Sequence, residues 1–139
     1  MKRSGFFLAA FALLLVTAFS AAASIADEHF SVKEYNEFHD VLHPLQHEAL
    51  PNKDFTTIRA RATELATRGE AIIKLGVPAG VKNTAEFEKE LKNFTEAIAK
   101  FKSDAAKATD AKLEESYLAV HDTFEMLAHM LPRKSKAEG

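Results

Sequence analysis

Histidine is the side chain of this sequence whose spacing points to chemistry. The chain has six histidines and no cysteine, so imidazole is its principal ligand for a transition metal. His39, His43 and His47 recur at every fourth position. On an α-helix this spacing places neighbouring rings one turn apart, and a pair at i, i+4 can chelate one ion. Taken by itself, the spacing fits three solvated histidines along a helix edge slightly better.

Heptad positions connect a fourth histidine with this edge. When the apolar stripes of the first and last helices are assigned to positions a and d, His39 and His121 both fall at position e, beside the core. Residues at this position meet across the seam of two antiparallel helices, so His39 and His121 are expected to face each other, with His43 one turn away. Only one of the two possible hands of the bundle brings His39 and His121 together. In the other hand, position e of the first helix faces the second helix instead of the last one. The predicted metal ligands are His39, His43 and His121, and neutral imidazole donors without thiolate favour copper or zinc.

His29 supports a second, independent metal hypothesis. Export cleavage after Ala26 would make it the third residue of the mature chain. The new amine, two backbone amides and the imidazole would then form a square-planar donor set for Cu(II) or Ni(II). Cleavage after Ala23 removes this arrangement.

The N-terminus has the three-part pattern of a secretory signal peptide. A basic start at Lys2 and Arg3 precedes an apolar run over 6–19 and small residues over 20–26. The apolar run is shorter than the roughly 20 residues that span a bilayer. The predicted organisation is a signal peptide at 1–26, one domain at 27–132 and a polar tail at 133–139, with export to the periplasm.

The elements that must position the histidines are four helices. Helical spacing of apolar residues predicts spans of 31–50, 54–75, about 83–108 and about 109–131. Ser31 with Glu34 has the spacing of a capping box, as does Asn83 with Glu86. Pro44 is expected to kink the first helix, and Gly69, which falls on the apolar stripe of the second, indicates close helix packing. Similar lengths and short connections predict an all-α fold, an antiparallel up-down-up-down four-helix bundle.

Composition excludes several function classes. Without Lys2 and Arg3, the mature region has 16 basic residues of the chain's 18 against 20 acidic ones, so no basic face favours nucleic acid. The absence of cysteine rules out disulfides, thiolate metal sites and lipid attachment at cysteine. No phosphate-binding glycine loop or Ser/His/Asp arrangement indicates an enzyme. Stable membrane insertion of the mature form is not expected, and a homodimer is left open.

The last helix resembles that of the cytochrome c′ bundles. The segment from Tyr117 to Phe124 contains His121 followed by the acidic Asp122 and then an aromatic residue, as around the haem-ligating histidine of that family. The resemblance implies an exported four-helix bundle with His121 as a ligand. The family's haem-attachment cysteines are replaced here by Tyr117 and Val120, so covalent haem is excluded. The resemblance to b-type bundle cytochromes, which hold haem without cysteine, implies that His39 or His43 would act as the second axial ligand.

The sequence therefore predicts an exported metal-binding protein without enzymatic activity. Two alternatives stay open: a non-covalent haem b protein, and a periplasmic helical scaffold or stress chaperone without a cofactor.

Overall fold

The computed structural model describes residues 29–134, which fold into four α-helices and one π turn. The helices are α1 (Lys33–Pro44), α2 (Phe55–Leu75), α3 (Thr84–Lys107) and α4 (Asp110–Met130), and the π turn (Leu45–Ala49) follows α1 directly. No strand occurs within 29–134, so the all-α prediction is confirmed. The predicted signal peptide at 1–26 and most of the predicted tail lie outside the described residues.

Three of the four helix starts are fixed by local hydrogen bonds. The side chains of Asp54, Asn83 and Thr109 each accept a hydrogen bond from a backbone N–H in the first turn of α2, α3 and α4 respectively. These bonds satisfy N–H groups that have no partner inside a helix. The starts of the last three helices are therefore encoded locally.

The predicted capping box at the start of α1 is wrong. The N-cap is Val32, which makes no side-chain cap bond. Ser31 Oγ donates instead to the carbonyl of Pro132, 2.8 Å away beyond the end of α4. The Asn36 side chain accepts from Phe30 N at 2.7 Å and donates to Phe30 O at 3.0 Å. A contact 101 residues distant in sequence has replaced the local bond.

Aromatic rings fill the centre of the bundle. Phe38 of α1 lies 4.7 Å from Phe124 of α4 and 5.5 Å from Phe94 of α3, measured between ring centroids. The backbones of α1 and α4 approach each other less closely than those of α1 and α2 or of α3 and α4. The space between α1 and α4 is therefore spanned by side chains, among them the ring of His39, whose centroid lies 6.4 Å from that of Phe124.

Gly69 lies at a close helix crossing, which confirms its interpretation as a packing residue. It is buried, and a Cβ built on it would lie 2.5 Å from Ile98 Cδ1. Within 29–134 no helix is long and apolar enough to cross a membrane.

Pro44 ends α1 and begins the change of helical pitch. Having no N–H, it cannot donate to the carbonyl of Asp40, and the next N–H, that of Leu45, bonds to Leu42 O. The chain then adopts i→i+5 bonding, with Leu50 N donating to Leu45 O at 2.9 Å. Such π turns often occur at functional sites. The predicted kink at Pro44 stays a prediction, whereas the structure shows a change from α-helical to π bonding after this residue.

Candidate metal centre

The three histidines of the α1 segment form a continuous row of rings. The ring centroids of His39 and His43 are 5.4 Å apart, and those of His43 and His47 are 4.4 Å apart. His39 and His43 are half-buried, whereas His47, in the π turn, is exposed. The predicted spacing therefore does bring neighbouring imidazoles into contact.

His39, the first ring of the row, contacts α4. The His39 ring stacks on Phe124 of α4 with centroids 6.4 Å apart. On the opposite side of α1, Glu37 accepts a hydrogen bond of 3.2 Å from Arg68 of α2.

His121 has the hydrogen bonding of a metal-ligating histidine. Its side chain is 23% exposed, and Nδ1 lies 3.0 Å from Asp122 Oδ1. An ionised carboxylate can only accept, so Nδ1 carries a proton, and a neutral ring then presents the lone pair of Nε2. Carboxylates and carbonyls bonded to the second ring nitrogen are the usual outer support of histidine ligands.

His43 and Gln46 contribute buried polar atoms that lack hydrogen bonds. Among the described residues, neither His43 Nε2 nor Gln46 Oε1 has a hydrogen-bond partner, although both atoms are shielded from solvent. A buried group left in this state costs about 1–3 kcal/mol. Sequence reasoning missed Gln46. The sequence carries no signal for it beyond its position three residues after His43.

The three predicted ligands do not form a closed coordination sphere. Within 29–134, no group of three or more histidine, aspartate or glutamate side chains is placed to hold one ion. The structure brings His39 and His43 together on α1 and supports His121 from Asp122 on α4. Joint coordination by all three stays a prediction.

The remaining two histidines lie at the end of the bundle where the described chain begins and ends. His29 and His129 are exposed and line one cavity of about 440 Å³. His129 Nδ1 lies 2.7 Å from the carbonyl of Glu125, to which it donates. The square-planar site at His29 stays a prediction, since it depends on residues outside the described range.

Two buried tyrosines stay protonated. Burial raises the pKa of Tyr35 and of Tyr117 far above the usual phenol value. Tyr117 OH donates to Leu42 O across the α1–α4 seam at 3.5 Å.

Comparison with known proteins adds no family to this picture. No protein-family model matches the chain, and searches of curated proteins and of solved structures also give no match. The resemblance to cytochrome c′ bundles therefore stays a prediction, and the functional argument depends on the geometry of the residues.

Proposed function

We propose that this chain is an exported four-helix protein that binds a copper or zinc ion through His39, His43 and His121. The observation that carries the proposal is the buried Nε2 of His43, which has no hydrogen-bond partner within 29–134 and lies in a row of imidazoles. A lone pair shielded from water is destabilising unless a donor or a cation meets it. A metal ion would satisfy it.

The α1–α4 seam supports the inclusion of His121. Phe124, which stacks on His39, is three residues after His121 on the same helix. Ser31 contacts Pro132, and Leu42 contacts Tyr117, so later residues of α1 meet earlier residues of α4. This order supports antiparallel neighbours and the up-down-up-down bundle. In the proposed site, His121 is the ligand that the last helix supplies.

The donor set fits binding rather than catalysis of a demanding reaction. Neutral imidazoles suit Cu(II) and Zn(II), and coordination requires each ring to be deprotonated at the ligating nitrogen. Metal binding therefore competes with protons, and affinity is expected to fall as the pH drops through the histidine range. A metal buffer or sensor in the exported compartment is the function that this chemistry supports.

Metal titration of the mature protein tests the proposal. The starting protein carries His29→Ala, which removes the independent N-terminal donor set. Zinc at 100 times Kd should stabilise it against unfolding by about 2.7 kcal/mol. His43→Ala and His121→Ala should lose most of this stabilisation, whereas His129→Ala, at the far end of α4, should retain it. Wild-type affinity in both the His43 and the His121 variants would refute the site.

Export is tested separately. Expression of the full chain with its N-terminus intact should give a periplasmic product whose first residue is Ser24 or Asp27. N-terminal sequencing distinguishes the two, and an uncleaved product in the cytoplasm would contradict the signal-peptide interpretation.

A further inference from the structure

We propose that a cleft between the α2–α3 connection and the C-terminal end of α4 binds a small organic anion with an apolar body, such as a medium-chain carboxylate. This end cleft has a volume of about 460 Å³, within the range of about 300–1,000 Å³ that small-molecule sites occupy. Gly80, Lys82 and Asn83 line it from the connection, and residues 129–133 line it from α4 and the segment that follows. The inference goes beyond the proposed metal site and does not depend on it.

The described residues that line the end cleft carry positive charge without negative charge. Lys82 and Arg133 are among them, but no aspartate or glutamate is, although the chain has 20 acidic residues against 18 basic ones. Neither cation makes an ion pair with another described residue, so both charges are available to an incoming ligand. Arginine and lysine bind carboxylate and phosphate groups through charge-assisted hydrogen bonds. The end cleft therefore favours an anionic group.

The C-terminal end of α4 adds apolar surface to the same cleft. Leu131 is 9% exposed and belongs to the core, and Met130 packs against that core. Pro132, the next residue, is half-buried. A ligand body placed against these side chains would be removed from water, which favours an aliphatic or aromatic group next to the anionic one. The lining thus combines the apolar walls and the few charged groups that are typical of small-molecule sites.

Two tertiary contacts hold Pro132 in place. Ser31 Oγ donates to its carbonyl at 2.8 Å. The backbone of Gly80 comes so close to the proline ring that a Cβ added at residue 80 would lie 3.3 Å from both Cβ and Cγ of Pro132. Gly80 has a φ of 89°, which glycine adopts without the strain that a side chain would cause. The cleft is therefore formed before a ligand arrives, and this lowers the ordering cost of binding.

Calorimetric titration with a matched series of compounds tests the chemistry of the ligand. With EDTA present to exclude metal, octanoate should bind at one equivalent, and 1-octanol, which lacks the charge, should bind about fivefold more weakly or worse. From butanoate to octanoate, affinity should rise by up to about fourfold for each methylene. Added salt should weaken octanoate binding, because exposed charges are screened. Octanol binding as tight as octanoate binding would overturn the proposal.

Variants that remove charge test the location of the site. Lys82→Gln and Arg133→Gln should each weaken octanoate binding by up to about fivefold, and the double variant should weaken it by about tenfold. The control is Lys107→Gln, which changes an exposed lysine about 36 Å away at the other end of α3 and should bind like the parent. Parent-like octanoate affinity in the double variant would overturn the site.

Amide signals in the NMR spectrum of the unaltered protein give a measurement that does not depend on variants. One equivalent of octanoate should shift the signals of Gly80 and Lys82 and leave that of Lys107 in place. Absence of octanoate binding, or shifts confined to residues outside the end cleft, would overturn the proposal. Binding of phosphatidylglycerol vesicles without octanoate binding would also overturn it, because the same cations would then face a membrane surface.

Discussion

The contact between Gly69 and Ile98 allows a quantitative test of the packing. A Cβ added at residue 69 would lie 2.5 Å from Ile98 Cδ1, 3.0 Å from Ile98 Cγ1 and 3.4 Å from Phe38 Cε2. The first distance is far below van der Waals contact, so Ile98 must shift. Forcing extra volume into a packed core costs about 1–3 kcal/mol. Because alanine has the higher helix propensity, replacing a glycine inside a helix by alanine raises the free energy of unfolding by about 1 kcal/mol.

Gly69→Ala should therefore lower the free energy of unfolding by about 0–2 kcal/mol, where helix propensity alone predicts a gain. Ile98→Val removes the atom that clashes and should by itself cost about 0.5–1.5 kcal/mol. In the double variant the clash is relieved, so its cost should be less than the sum of the two single costs. We expect a coupling of about 1 kcal/mol, within the range for residues in contact.

Urea unfolding of the four proteins in the cycle measures this coupling. Thr63→Ala, on the exposed face of α2, is the control for a substitution to alanine without a change in core packing. A Gly69→Ala protein that is about 1 kcal/mol more stable than the parent, with additive effects in the double variant, would show that the helices do not approach closely at this point.

Three further perturbations test other parts of the fold. Arg59 donates to the carbonyls of Ala105 and Ala108 at 3.0 and 2.8 Å, so Arg59→Ala should cost about 1–2 kcal/mol in urea unfolding, and an unchanged midpoint would contradict this role. Hydrogen bonds from Thr57 lower the pKa of Asp54, so the folded pKa lies below the unfolded one. The ionised Asp54 side chain therefore stabilises the folded state above about pH 4, and this stabilisation is lost as the pH falls through the folded pKa. When the free energy of unfolding is measured against pH, the Asp54→Asn protein should lose less stability below about pH 4 than the parent. Identical pH profiles for the two proteins would refute this role of Asp54. The side chain of Asn36 makes two hydrogen bonds with the backbone of Phe30, so Asn36→Ala should speed amide hydrogen exchange over 29–36 while protection in α3 stays unchanged. Equal exchange rates in the variant and the parent would show that these two bonds do not hold the segment in place.

The sequence alone determined the helices and most of their boundaries. Apolar residues at helical spacing and the cap residues Asp54, Asn83 and Thr109 act within one or two turns of the chain, so their effects can be read without knowledge of the fold. The same holds for the row of histidines, since ring contacts at i, i+4 follow from helical geometry. The interpretation of Gly69 as a packing residue also followed from its place on the apolar stripe.

Tertiary structure decided what depends on distant partners. Ser31 could cap α1 or reach Pro132, and only the docking of α4 selects the second. The contact between the rings of His39 and Phe124 depends on how whole helix faces pack and leaves no local mark in the sequence. The burial of the Gln46 amide oxygen also has no local mark in the sequence. Local propensities act over a few residues, whereas the positions of these side chains are fixed by the packing of the complete bundle.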